Sequence, residues 1–346
     1  MDAKITKKRL SRMLSYDWIK ILLTIAAAVF VWVLIFTMTA TRITPAQQFT
    51  ACNYLGNVSF METKFFDLYN KAYRDGIYSY EVIETNYNDF ASNAEYANTL
   101  MDARFGTSEG DFMFAPITPN PSSGKIKDEV TGEVSYKYTY AESALIGYWT
   151  YYYNLDPESE NGYFHQMEEY LNVYYNGDWT KKENVNKEKI EQDFRKRTKW
   201  DKRFKTEKQK KQGVKDDIAR IESYRDALEE FYGYVNEGIV EFTKVSLKDI
   251  GSQKYSIEGV YYLNLCPSSD PQNRMKHLSE YVAYTHDVTE VNPETGEETV
   301  TKNVLTATDM QVCFLKMEDM TEGFQYENVL FINYLIENCL ALNKTA

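Results

Sequence analysis

The chain has 346 residues, with 39 Lys/Arg against 51 Asp/Glu for a formal net charge of −12, and it is rich in Tyr (29) and Phe (18). A chain this acidic is repelled by nucleic-acid phosphates, which excludes nonspecific nucleic-acid binding. Abundant aromatics with only eight Pro exclude a disordered chain, and the bulk of the sequence is long enough to bury a substantial core.

Ile21 to Met38 carries no charge, and Thr24 and Thr37 are its only polar residues. As a helix this run rises roughly 27 Å, close to a bilayer's hydrocarbon thickness, and only a helix satisfies its own backbone there. Trp18 falls where an indole sits among headgroups, and Lys20 is near enough to snorkel. Lys4, Lys7, Lys8, Arg9 and Arg12 precede the run, whereas Arg42 is alone after it until Lys64, so the positive-inside rule puts the N-terminus in the cytoplasm. The expected organisation is a basic cytoplasmic tail (1–17), one transmembrane anchor (18–40), a tether (41–48) and an extracytoplasmic α/β domain (49–346) outside the cell membrane. A cleaved signal peptide is the rival. Its apolar core would usually be about 7–15 residues, and Phe36 to Ala40 is a poor cleavage site. Phe49-Thr-Ala-Cys52 faintly resembles a lipoprotein box but lies too far beyond the run. Cys52, Cys266, Cys313 and Cys339 all follow the anchor, where disulfides are allowed, yet each sits in an apolar stretch that equally suits a buried thiol.

Strand and helix signals then alternate. Phe49 to Tyr54 suits a strand, and Ser59 with Glu62 forms a capping-box pattern ahead of Phe65, Leu68, Tyr69 and Tyr73 at helical spacing, with Gly76 as the stop. Ile77 to Ile83 reads as a second strand. Ser92 or Asn93 caps a second helix ending near Gly106, and Asp111 to Pro116 reads as a third, apolar strand. This β-α-β-α-β pattern over 49–117 predicts parallel strands, and right-handed crossovers are expected to place both helices on one face. Two hairpins follow, one over Lys125 to Lys137 bending at Thr131-Gly132, the other over His286 to Val300 turning at Asn292-Pro293 and Gly296. Between them lie helices over Ala141–Tyr153, Tyr163–Tyr175 and Asn186–Lys199, within a charged helical region at 181–238. The clearest helix is Glu207 to Glu237, capped by Thr206 with Gln209; Val214, Ile218, Ile221, Leu228, Tyr232 and Val235 follow a 4-3 spacing that Arg225 interrupts. A seam this short favours docking on its own domain over a coiled-coil dimer. Gly259–Cys266 and Met310–Met317 read as strands, and Phe324–Leu342 as a closing helix.

Chemistry-bearing motifs are sparse. His165, His277 and His286 have no companion at metal-ligand spacing, and no phosphate-binding glycine loop or nucleophile elbow occurs. The expectation is a non-enzymatic chain with no metal and no cofactor. Asp156 to Gly162 resembles the start of a calcium loop, but its glycine falls late and Met167 stands where a bidentate Glu belongs, so an ordinary acidic turn is expected. Residues 181–215 hold fifteen Lys/Arg and six Asp/Glu, a basic stretch inside an acidic domain. Tyr148 to Tyr153, with Trp149, and Tyr174-Tyr175 with Trp179 are aromatic clusters; such rings stack on sugars but more often pack a core.

Residues 47–117 resemble the first lobe of the extracellular solute-binding proteins of ABC transporters, the type 2 periplasmic-binding architecture. Tyr96 to Arg104 followed by Ser108-Glu-Gly-Asp-Phe-Met-Phe114 is similar to that family's succession of helix, glycine, Asp and apolar strand. The resemblance implies a non-catalytic protein that captures a polar solute, such as a carbohydrate, by lobe closure and serves a transporter permease. Family members usually carry a cleaved signal or a lipidated cysteine, and neither is expected here. In open α/β sheets ligands bind beyond the carboxyl ends of parallel strands, which points to Asn53, Tyr54, Asn86, Tyr87 and Thr118, with Trp149 beside them. The alternative is an interaction ectodomain that recognises a protein partner or an anionic envelope polymer, with Lys205, Lys208, Lys210 and Lys211 as its contact residues.

Overall fold

The computed structural model describes residues 7–39, 47–54, 58–93, 95–127, 134–251, 254–291, 298–317 and 323–344. Lys4, Arg42, most of the tether, the bend at Thr131-Gly132 and the turn at Asn292-Pro293 and Gly296 lie outside them. The chain divides into two units, residues 1–44 and 45–346.

The described residues of the first unit form one helix, α1 (Lys7–Thr39), which begins inside the expected cytoplasmic tail. Within it Trp18–Phe36 is long and apolar enough to cross a membrane, and its large side chains, Phe30 and Trp32 among them, point outward. A helix apolar all round and uncovered by protein has the surface that lipid solvates.

The second unit is built on a six-stranded mixed sheet. Its elements begin with β1 (Gln48–Asn53), β2 (Val58–Phe60), α2 (Glu62–Arg74), β3 (Glu84–Asp89), α3 (Ala97–Gly106) and β4 (Phe112–Ala115). A small hairpin, β5 (Lys125–Lys127) and β6 (Val134–Tyr136), leads to helices α4 (Tyr140–Tyr148), α5 (Tyr163–Tyr174), α6 (Lys187–Arg197) and α7 (Glu207–Asn236). Strands β7 (Glu241–Ile250), β8 (Tyr255–Asn264), β9 (Val282–Val291), β10 (Glu298–Thr306) and β11 (Gln311–Phe314) precede α8 (Glu327–Leu342). The strand order is β3-β1-β4-β11-β8-β7, with β1 parallel to both β3 and β4 and the remaining pairs antiparallel. Strand β9 pairs with β10 and β2 in a separate three-stranded sheet. The α/β class and the parallel βαβαβ start therefore stand. Residues 45–346 form one unit around one large sheet.

Strand order also overturns the expected placement of the helices. The chain steps from β1 outward to β3, then back past β1 to β4. Crossovers of one hand that run in opposite directions put their helices on opposite faces. Phe65, Leu68 and Tyr69 of α2 pack with Phe49, Ala51, Phe112 and Phe114, whereas Met101 and Phe105 of α3 pack with Cys52, Met113 and Ala115, the alternate residues of the same strands. Helices α5, α7 and α8 join α2 on the first face, and α4 joins α3 on the second.

Several local expectations are also corrected. Ser59 pairs with Ala283 in β2 rather than capping α2, whose first residue is Glu62, and α2 has no side-chain cap. Ser92 and Asn93 form a 3-10 turn held by Asp89, and α3 starts at Ala97. The second parallel strand is the polar β3, not Ile77–Ile83, whose Tyr78 and Val82 instead fill the core from an irregular segment. Gly76 does end the α2 turn, with φ +70° in the left-handed region and the Ile77 amide donating back to Ala72. Thr206 and Gln209 form the expected capping box. All four cysteines are buried free thiols. Cys52 lies in the middle of the sheet, far from any position a lipid anchor could use.

Candidate functional site

Helix α7 is docked within its own domain, and its buried stripe is Val214, Asp217, Ile221, Tyr224, Leu228 and Phe231, spaced 3-4-3-4-3. One position of that stripe is a carboxylate, and Arg220 beside it is equally buried. Arg220 donates from Nε to Asp217 Oδ1 (2.9 Å), from Nη1 to the Gly323 carbonyl (2.7 Å) and from Nη2 to the Tyr170 hydroxyl (2.9 Å). Asp217 Oδ1 also accepts from Arg197 Nη2 (3.0 Å) and the Tyr80 hydroxyl (3.2 Å). Phe324 is held between the two guanidinium groups, its ring centroid 4.3 Å from Arg220 Cζ and 5.2 Å from Arg197 Cζ. Burial works against the Arg220 charge, but Tyr170, Tyr224 and Asp217 around it outweigh that and hold its pKa well above the ordinary value. Burial, then the Asp217 charge, raises the Tyr80 hydroxyl, which stays protonated and donates. Nearby, Glu327 accepts from the Ser79 amide (3.0 Å) and the Tyr224 hydroxyl (2.5 Å).

Two members of this network, Tyr170 and Arg197, line a groove of about 850 Å³ between α5, α6 and the approach to α8. From α5 come His165, Gln166, Glu169, Val173 and the rings of Tyr170 and Tyr174; α6 supplies Asp193, Lys196 and Arg197; Glu160, Gln325 and Tyr326 complete the lining. Tyr170 packs against Tyr174 (5.2 Å) and Tyr326 (5.4 Å), so the three rings form one continuous aromatic wall. Donors and acceptors of both charges thus surround apolar ring surfaces in a volume that fits a small ligand.

The residues expected at the strand ends are not brought together. Asn53 is buried and its amide is committed: it donates to the Val58 carbonyl (3.2 Å) and Asp89 (2.8 Å) and accepts from the Phe90 and Ala91 amides (2.7 and 3.3 Å). It ties the end of β1 to the exit of β3 and has no valence left for a solute. Tyr54 is buried among the α3 and α4 side chains, which pushes its hydroxyl up to about 12. Asn86 and Tyr87 lie within β3, not beyond its end, and the Tyr87 ring packs on Phe66 (4.3 Å) on the opposite face from Tyr54. Thr118 is half-buried after β4, and Trp149 is half-exposed where α4 ends. Asp156 to Gly162 is a self-contained turn in which Asp156 accepts from the Glu158 amide (3.0 Å). Among the described residues no three His, Cys, Asp or Glu side chains are grouped to hold a metal ion.

The basic stretch is divided by its own partners. Lys181, Lys182, Lys187, Lys189 and Arg195 pair with Asp178, Asp226, Glu222, Asp193 and Glu191 respectively. Of the expected contact lysines, Lys210 pairs with Glu207 (3.1 Å), while Lys205, Lys208 and Lys211 are exposed with no ion-pair partner among the described residues.

Arg197, Tyr170, Asp217 and Arg220 escaped the sequence reading. The available signal was the charged Asp217 on the 3-4 spacing that runs from Val214 to Phe231. No protein family, curated protein or solved structure matches this chain.

Proposed function

We propose that the chain is a membrane-anchored extracytoplasmic protein that captures a polar solute such as a carbohydrate without transforming it, and delivers it to an ABC-type permease in the same membrane. The observation that carries the capture reading is the groove of about 850 Å³, where tyrosine rings stand among amides, carboxylates and cations. Flat ring faces suit pyranose C–H surfaces, while Gln166, Gln325, Glu169 and Lys196 offer donors and acceptors to hydroxyls. Tyr170 and Arg197 of the lining are already held by Arg220 and Asp217, which lowers the ordering cost of binding. The basic residues before the apolar run support the outward orientation of the domain. The permease rests on the likeness of residues 47–117 to solute-binding proteins. Capture is into a formed groove, so no closing of lobes is required.

Calorimetric titration of the solubilised full chain against a panel of oligosaccharides and short peptides tests this. The expected result is a sugar whose affinity falls at least about tenfold, roughly 1.4 kcal/mol, in the His165→Ala/Gln166→Ala variant, which alters the groove wall and leaves the buried network intact. A panel without a binder, or a sugar indifferent to the variant, overturns the reading.

A further inference from the structure

We infer that the ridge formed by the end of α6, the 198–206 connection and the start of α7 docks on anionic lipid headgroups, with Trp200 as the residue that enters the interface. Residues 196–215 carry ten Lys/Arg and two Asp/Glu in a chain whose net charge is −12. Lys196, Lys199, Lys202, Lys205, Lys208, Lys211 and Lys215 are all exposed, and none has an ion-pair partner among the described residues. Lys208, Lys211 and Lys215 follow the i, i+3, i+7 spacing that lines one face of α7. The adjacent stretch from Lys181 to Arg195 is paired with carboxylates of its own, of Asp178 and of α7, so among the described residues of 181–215 the unpaired positive charge lies on the ridge.

The ridge is held in place from beneath. Phe194 and Phe204 meet at 4.9 Å, and they close so tightly on Gly213 that a Cβ there would stand 2.3 Å from Phe194 Cζ. On this ridge Trp200 is 87% exposed, with Lys199 Nζ over its ring at 5.2 Å. A polyanionic polymer would need only the lysines. A bilayer interface takes both parts, since indoles concentrate at headgroup depth and lysines are drawn to anionic lipid. The chain also carries its own membrane-length helix, so the ridge acts at the raised effective concentration of a tethered site. This inference is independent of what the groove binds.

The test uses the full chain in lipid nanodiscs, either phosphatidylcholine alone or with phosphatidylglycerol, made with acyl-brominated lipid that quenches tryptophan. The Trp200 contribution is the difference between the native chain and Trp200→Phe, which removes the signals of the other tryptophans. The expected result is loss of Trp200 emission in the anionic discs, reversed by high salt. It should vanish in a Lys199→Gln/Lys202→Gln/Lys205→Gln/Lys208→Gln/Lys211→Gln variant that keeps its thermal midpoint. It should persist in a Lys181→Gln/Lys182→Gln/Lys187→Gln variant, whose changes fall on the paired stretch. Equal quenching in both kinds of disc, or none in the anionic ones, overturns the inference. So does tight binding of soluble polyphosphate by a chain whose Trp200 is not quenched, an outcome that assigns the ridge to a polymer.

Discussion

Asp111, just before β4, and Asp217, in α7, are both buried carboxylates, but the sheet and the helical layer treat them differently. Asp111 Oδ2 accepts from the Thr50 amide (2.6 Å), and no ion pair reaches it among the described residues. Burial, with the Glu327 charge adding to it, pushes its carboxyl up to about 8 against the pull of the Thr50 amide, so at neutral pH it mostly holds its proton. Asp217 instead faces two guanidinium groups and a hydroxyl, all within 3.2 Å. The sheet thus uses an acid as a neutral hydrogen-bonding wedge between strands. The helical layer uses a paired charge to hold three segments together, α6, α7 and residues 323–324. Such a pair contributes little net stability over an apolar substitute, but losing one partner is expensive.

The largest effect should come from Arg220→Met, which takes from Asp217 its buried guanidinium partner and leaves the Gly323 carbonyl and Tyr170 hydroxyl without their donor. A loss of roughly 3–5 kcal/mol is expected, read as a lower urea midpoint. A loss below about 1 kcal/mol would erase the contrast with the sheet. Asp111 gives the next effect, and it depends on pH. The folded protein keeps the Asp111 proton up to about pH 8, whereas the unfolded chain releases it near pH 4. The folded state therefore binds more protons in that window, and stability should fall as pH rises through it, by at most about 1.4 kcal/mol per pH unit. Asp111→Asn should flatten that slope and exceed the native chain in stability at pH 8, as denaturant titrations across the window would reveal. The smallest effect, about 1 kcal/mol, is expected for Thr206→Ala, which removes the cap of α7 and leaves its buried network in place. If Thr206→Ala instead matches Arg220→Met, helix formation and not the ion network holds this layer.

What could be read from the chain alone follows the local patterns. Strand β3, Glu-Thr-Asn-Tyr-Asn-Asp, is an edge strand paired only with β1, so it needs no apolar face and leaves no alternation to find. Ile77 to Ile83 imitates a strand because the core takes Tyr78 and Val82 from an irregular segment. Helix α8 shows little periodicity because it is enclosed on nearly every side, with Asn328 and Asn333 donating to the Asp111 and Ala227 carbonyls. Arg225, which interrupts the apolar spacing of α7, is buried too, donating to the Trp179 and Thr180 carbonyls.

By itself the sequence determined the apolar helix, the capping box and extent of α7, the Gly76 stop, the flanking strands β1 and β4, and the α/β character, because each depends on residues within a turn or two of one another. Only the tertiary structure decided the strand order, the faces on which α2 and α3 lie, the saturation of Asn53 and the groove. Each of these joins residues far apart in the chain: Asn53 with Phe90, Tyr80 with Asp217, Arg220 with Gly323. Such contacts form when packing brings polar groups out of water together, and neither partner's neighbours in sequence record the other.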